Sequence, residues 1–301
     1  MNTRNAKTET PIIAKIVSCF LGIVVNIVIF YIHCMPIYTK QEEPAEYKKR
    51  SYNWKTAIGL QAVDALVPSK YLFECANLNI KGELSLDEIQ SKLQTYYEAK
   101  PPKTAKGERQ READLVSLRI TKLLSTDAFT LSPAHFTSIH KKLFAGIYDF
   151  AGKLRKYNIS KKEWVLGGAS VIYGDCDQLK ETLEYDIEQE KNFSYAKFSK
   201  KKIVKHFSKF IANFWQIHPF GEGNTRTIAV FAIKYLRTLG FTITNEPFES
   251  NSWYFRNALV RANYRDLPNK ITATTIYVEK FFENALLGTN HDLRNRELCV
   301  P

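Results

Sequence analysis

The sequence predicts a mainly α-helical fold built around a central helix–loop–helix, with one β-hairpin and a small N-terminal helical region. Three observations predict it. From residue 51 onward apolar residues recur at the helical period. Helix-starting and helix-stopping residues punctuate that pattern throughout. One stretch, residues 157–175, breaks the rhythm with β-branched and aromatic residues on either side of Gly167-Gly168, a hairpin signal. With 301 residues and 45% hydrophobic content, the chain has enough apolar surface for a core, which sets disorder aside.

The N-terminus comes first. Residues 16–33 form an apolar run interrupted by Asn26 and preceded by Lys15, Lys7 and Arg4. That length reaches the lower limit of a spanning helix, so one expectation is a membrane anchor. The competing expectation is that residues 1–34 precede the true start, because Met35 is one of only two methionines and opens a polar stretch. The domains expected are therefore 1–34 as a hydrophobic segment, 35–99 as an N-terminal helical region, 100–109 as a linker and 110–301 as the main domain. The five cysteines are odd in number and contain no CxxC, which points away from disulfide frameworks and zinc and toward a reducing, cytoplasmic setting. The net charge of +12 is spread over solvated helix faces instead of forming one tract, so no nucleic-acid partner is expected. A membrane partner is expected only if residues 1–34 belong to the protein.

Along the main body, residues 51–66 read as one helix, and residues 69–80 as a second that stops at Gly82. Ser85 and Glu88 have capping-box spacing and open a third helix running to about Tyr97. Residues 100–109 carry two prolines, a glycine and several charges, the composition of an exposed connection. Ser132-Pro133 is a helix start. His135 and His140 share the helix that follows, with no acid nearby, and read as surface or packing residues.

The chemistry concentrates at residues 218–226. Ile203, Val204, Phe207, Phe210, Ile211, Phe214 and Trp215 form one apolar helix face, a core platform that leads into His218-Pro219. Proline disfavours helix at the residue before it, so the helix ends there. Gly221, Glu222, Gly223 and Asn224 follow, and Thr225 opens a second helix closed by Gly240. A glycine loop running into a helix N-terminus is an anion-binding arrangement, and Arg226 in the first turn can fork onto the same anion. His218 has the pKa of a general base near neutral pH, and Glu222 is a hard oxygen ligand suited to Mg²⁺. Each residue alone has a structural explanation, as a cap, a dipole partner or a turn; their coincidence within nine positions is what points to chemistry.

The segment His-Pro-Phe-Gly-Glu-Gly-Asn-Thr-Arg at 218–226 resembles the signature of the Fic family, with His218, Phe220, Glu222, Gly223, Asn224 and Arg226 as the matching residues. The similarity extends less sharply across about residues 55–300. The resemblance implies a protein adenylyltransferase that moves AMP from ATP onto a Ser, Thr or Tyr hydroxyl of a target or of the chain itself. It implies His218 as the base, Glu222 as the Mg²⁺ ligand, and Gly221, Gly223, Asn224, Thr225 and Arg226 as the nucleotide-binding loop. It also implies that the hairpin, Ile159 to Tyr173, is a flap along which a protein substrate is held by strand addition.

Two departures qualify the likeness. Thr225 stands where the signature has glycine, and Ala229 where it has a final arginine. The inhibitory Ser/Thr-x-x-x-Glu-Gly/Asn helix that the resemblance leads one to seek is absent as well; its nearest remnant places Asn77 and Lys81 at the key positions. Alternatives left open are transfer of another phosphate-linked group such as UMP or phosphocholine, and a silenced chain that keeps only regulatory or peptide-binding roles. An arginine on the late helix containing Asn251, Tyr254, Arg256 and Arg261 is a candidate replacement for the missing one.

Overall fold

The computed structural model describes residues 44–244 and 246–300; the expectations for residues 1–34 and for a start at Met35 lie outside them. Residues from Glu43 onward form one compact unit. The N-terminal part packs α1 (Pro44–Gly59), α2 (Lys70–Lys81), α3 (Leu86–Ala99) and α4 (Ala105–Leu124) together. The expected first helix is in fact divided: α1 stops at Gly59 and Leu60–Asp64 continues as a tight 3₁₀ segment. Gly82 ends α2 at φ 83°, and Ser85 and Glu88 close a capping box. α4 opens at Ala105, inside the stretch read as a connection. A small core of Trp54, Leu72, Cys75, Ile89, Leu93 and Leu118 joins these helices. Asp114 ties them further, accepting from the Ser69 amide at 2.7 Å and from the Tyr97 hydroxyl at 2.6 Å.

The larger core belongs to α5 (Pro133–Phe144), α6 (Leu179–Lys191), α7 (Lys200–Ile217), α8 (Asn224–Thr238), the short α9 (Glu246–Ser250), α10 (Ser252–Ala262) and α11 (Ile276–Leu287). All seven residues of the apolar face expected on α7 are buried. Every residue of α8 from Asn224 to Leu236 is buried, the mark of a helix at the centre of its domain. α7 and α8 thus form a fixed frame, and the loop between them, residues 218–223, is anchored at both ends.

The hairpin is a further fold expectation that the structure corrects. No strand occurs among the described residues, and the only bridge among them joins Asp266 and Ile271. Residues 157–175 form an open loop with a 3₁₀ turn at Trp164–Leu166, and Gly167 and Gly168 both take positive φ. Across the loop, Glu163 donates to the Ala169 carbonyl and accepts from the Gly168 amide, both at 2.9 Å, while the Lys161 amide is satisfied by the Ser170 hydroxyl at 3.1 Å. With a side chain taking one ladder position, and two glycines curling the tip, the pairing ends before a strand is established.

Candidate active site

The loop at 218–223 is shaped by residues from four directions. Pro219 terminates α7, and His218 takes the left-handed conformation at φ 49° and ψ 56°. Such a conformation is costly for a residue with a side chain and persists only where its surroundings fix it. Arg155 supplies much of that fixing. Its backbone N–H donates to the Pro219 carbonyl at 2.9 Å, its Nε to the His218 carbonyl at 2.8 Å and its Nη1 to the Tyr157 carbonyl at 2.6 Å. A further bond from Nη2 reaches the Gly174 carbonyl, so one buried guanidinium staples both ends of the 157–175 loop to the end of α7.

Beyond His218, Phe220 is fully buried and stacks on His140, ring centroids 3.7 Å apart. His140 accepts from the Gly152 amide through Nδ1 at 2.8 Å, which leaves Nε2 as the protonated nitrogen donating to the Glu222 carbonyl at 3.0 Å. Burial lowers the His140 pKa to about 4, so the ring is neutral at physiological pH and this tautomer holds. Asn224 turns back on the loop, accepting from the Phe220 amide at 3.0 Å and donating to its carbonyl at 2.8 Å. Thr225 accepts from the Trp215 indole at 3.0 Å, tying the first turn of α8 to α7. Gly223 sits at φ 77°, and a Cβ there would meet the Phe144 ring at 2.4 Å. The side chains of Asn224 and Thr225, expected at the nucleotide, therefore shape the loop from within. What the loop offers an anion is the start of α8, where no side chain caps the helix.

A cavity of about 600 Å³ opens beside the loop, lined among others by Asp64, Glu112, Lys161, Trp164, Glu222, Arg226, Trp253 and Arg256. Arg226, expected in the anion hole, is fully buried at its wall. Its Nε lies 2.8 Å from Asp64, Nη2 2.7 Å from Glu112 and Nη1 3.3 Å from Gln61, while the guanidinium carbon rests 4.8 Å from the Phe144 ring centre. Burial works against its charge, but Asp64 and Glu112 outweigh that and raise its pKa above the usual arginine value. Arg256 is likewise taken, by both oxygens of Glu163 at 2.8 Å each. Of the four late-helix residues singled out from the sequence, Arg256 alone lines this cavity, and Arg261 donates to the Thr272 carbonyl at 2.7 Å. Ala229 is fully buried and takes no part in the lining.

His218 and Glu222 carry the unspent chemistry. The His218 ring is flanked by Tyr173 and Trp215, with ring centroids 4.2 and 5.1 Å away. Burial, helped by the charge of Lys161, pushes its pKa down to about 3, and its Nδ1 has no hydrogen-bond partner among the described residues. The ring is a free base at neutral pH. The Glu222 carboxylate is exposed at the cavity mouth, yet partial desolvation and then Asp64 raise its pKa above the ordinary glutamate range. A carboxylate strained by a like-charged neighbour is stabilised by a cation, so Glu222 fits the Mg²⁺ role as a hard oxygen donor.

Residues 130–236, which contain this loop, α7 and most of α8, match the Fic/DOC family. The match places a Fic/DOC domain within this chain. The chain is 30% identical over 145 residues to the probable protein adenylyltransferase y4lH of Sinorhizobium fredii, covering 44% of this chain and 66% of that one. It is 28% identical over 109 residues to the protein adenylyltransferase VbhT of Bartonella schoenbuchensis, covering 36% of this chain and 22% of that one. The chain thus spans just under two thirds of the first relative and under a quarter of the second. Among solved structures it resembles the Fic domain of Bep8 from Bartonella sp. 1-1C, with TM-score 0.48, 16% identity, and coverage of 61% of this chain and 87% of that one. A Fic family protein from Desulfovibrio desulfuricans gives TM-score 0.49 and 14% identity, with 93% and 73% covered.

Sequence reasoning missed Arg155, His140, Asp64 and Glu112. Arg155 and His140 act on backbone atoms 63 and 82 residues away, and the two acids meet Arg226 from the N-terminal helices. No local spacing reports such contacts. A faint signal existed in His140, a histidine on the inward face of an amphipathic helix with Phe136 and Phe144 four residues to either side.

Proposed function

We propose that this chain is a protein adenylyltransferase, moving AMP from ATP to a hydroxyl of a protein target or of itself. The observation that carries the reading is a neutral imidazole, His218, held in a left-handed cap one short loop before the uncapped start of α8. In the transfer, the target hydroxyl oxygen attacks the α-phosphorus, the bond to the bridging oxygen breaks and pyrophosphate leaves. The hydroxyl proton passes to the His218 imidazole. A base depressed to about 3 is weak while the site is empty, and the negative phosphates of a bound nucleotide favour its protonated form and raise its pKa toward the working range. Glu222 would hold Mg²⁺, which supplies charge neutralisation on the phosphates. Backbone N–H groups at the start of α8 would receive the phosphates. The exposed side chains of the 157–175 loop, Ile172 at 84% and Trp164 at 47%, support a role for that loop in gripping a target segment, by side-chain contact more than by a strand ladder.

One observation favours a second reading, a chain silenced or held back in this state: Arg226 is sealed by two carboxylates, and Ala229 offers no other cation. One experiment separates the two. The full chain is incubated with Mg²⁺ and each of ATP, UTP, GTP and CTP, with and without cell lysate, and adducts are read by intact-mass and peptide mass spectrometry beside His218→Ala. Adenylylation present in the parent and abolished in the variant is the expected result. Adducts from UTP alone would change the nucleotide, and no adduct with any of the four would leave the silent reading.

A further inference from the structure

A nucleoside polyphosphate brings several negative charges into the cavity, and the cations available to meet them can be followed one by one. Five basic residues line it: Arg109, Lys161, Lys162, Arg226 and Arg256. Arg226 is committed to Asp64 and Glu112, and Arg256 to Glu163. Arg109 donates to the Asp64 backbone carbonyl at 2.6 Å. The two lysines remain, adjacent on the loop at 157–175; neither ammonium has a hydrogen-bond or ion-pair partner among the described residues. They are not equivalent. The charge of Lys161 is felt at the His218 ring, where it favours the neutral imidazole.

Resting on the reading of this cavity as a nucleotide site, we propose that Lys161 is its phosphate-binding side chain, reaching from the loop to ion-pair with the phosphates. The arginines that a sequence motif would nominate are structural here, each locked to carboxylates that fix the cavity wall. Lys161 is exposed and unpaired, a point charge on a flexible stem. It can follow the phosphates as pyrophosphate departs, which a clamped guanidinium cannot. Placing the cation on the same loop that would grip the target also couples nucleotide binding to the position of that loop.

The test is calorimetric titration of the full-length chain with ATP and Mg²⁺ at low and high salt, for the parent, Lys161→Met, Lys161→Arg and the control Lys156→Ala. Lys161→Met is expected to weaken ATP binding by roughly ten- to a hundred-fold, the usual range for a charge-assisted contact, and to flatten the salt dependence. Lys161→Arg should recover most of the affinity and the slope, and Lys156→Ala should match the parent. Because Lys161 is exposed, none of these changes threatens the fold. Unchanged affinity in Lys161→Met overturns the proposal and leaves the adenylyltransferase reading standing. A loss that Lys161→Arg does not restore, with the salt slope unaltered, also overturns it, because the side chain would then act through shape. A parent chain that binds no ATP at all overturns the nucleotide reading itself.

Discussion

The guanidinium of Arg226 shows why a residue type at a motif position does not settle its job. An arginine in the first turn of a helix after a glycine loop is placed to meet phosphate, yet this one is fully buried and meets Asp64 at 2.8 Å and Glu112 at 2.7 Å. Both acids are mostly shielded from water, with side chains 16% and 14% exposed, so the cluster holds together only while the positive charge is present. Removing Arg226 leaves two carboxylates facing each other across a cavity already crowded by Glu222. Arg226→Ala should therefore cost about 3–5 kcal/mol of stability, as breaking a buried pair generally does. Glu112→Gln keeps a hydrogen-bond acceptor and leaves Asp64 as counter-charge, so it should cost less, about 1–2 kcal/mol. Urea unfolding of the two variants checks this, and a parent-like midpoint for Arg226→Ala would show that the acids are solvated and the pairing weak. It follows that lost transfer activity in Arg226→Ala is uninterpretable without its unfolding curve.

At the scale of elements, the helix–loop–helix was legible from sequence and the loop beside it was not, for one physical reason. Helices α7 and α8 announce themselves through periodic burial, proline at 219 and glycine at 240, all signals within a few residues of the feature they set. The segment at 157–175 has strand-like composition, but its conformation is decided by distant partners: Arg155 on the end of α7, Arg256 on Glu163 and Gln216 on the Ile172 carbonyl at 2.8 Å. Composition gave a hairpin, and tertiary contacts made an open loop. The same division applies to Gly223, which the sequence places in a glycine loop without showing why no other residue fits there. Its φ of 77° is readable as a turn requirement, but the Phe144 ring 2.4 Å from a notional Cβ comes from another helix. Gly223→Ala thus meets two independent obstacles, the left-handed backbone and the aromatic wall, and should lose at least about 2 kcal/mol. Trimming the wall with Phe144→Leu in the same chain should restore only part of it, since the backbone cost remains. Thermal unfolding of the single and double variants measures the split, and full restoration would mean that the backbone conformation carries no cost.

Across the whole molecule, the helical period, the caps at Ser85 and Ser132 and the apolar face of α7 made the mainly helical class readable, because a core that is nearly all helix leaves its period in the sequence. What the period does not reveal is which polar groups that core encloses, and those govern how the fold answers to pH. His140 and His218 are held neutral by burial, with pKa values lowered from 6.5 to about 4 and about 3, and His135 is lowered as well. In the unfolded chain these rings take up protons near pH 6.5; in the folded chain they refuse them until well below that. Between those limits the unfolded state binds more protons, so stability is complete above about pH 6.5 and declines as the pH falls, by up to about 1.4 kcal/mol per pH unit for each of His140 and His218. Asp114 and Glu222 work in the other direction, because their raised pKa values let the folded chain bind protons first in the acid range. The histidine contribution is therefore best isolated as a difference. His140→Gln retains an acceptor for the Gly152 amide and a donor for the Glu222 carbonyl, but has no proton to refuse. It should be less stable than the parent at pH 7, where the stack on Phe220 is lost, and the gap should narrow steadily between pH 6.5 and 4.5 as the parent alone pays the proton penalty. Denaturant unfolding across that range measures it, and parallel curves would mean that the His140 ring is protonated within the fold and that its nitrogen–carbonyl contact to the active loop is charged.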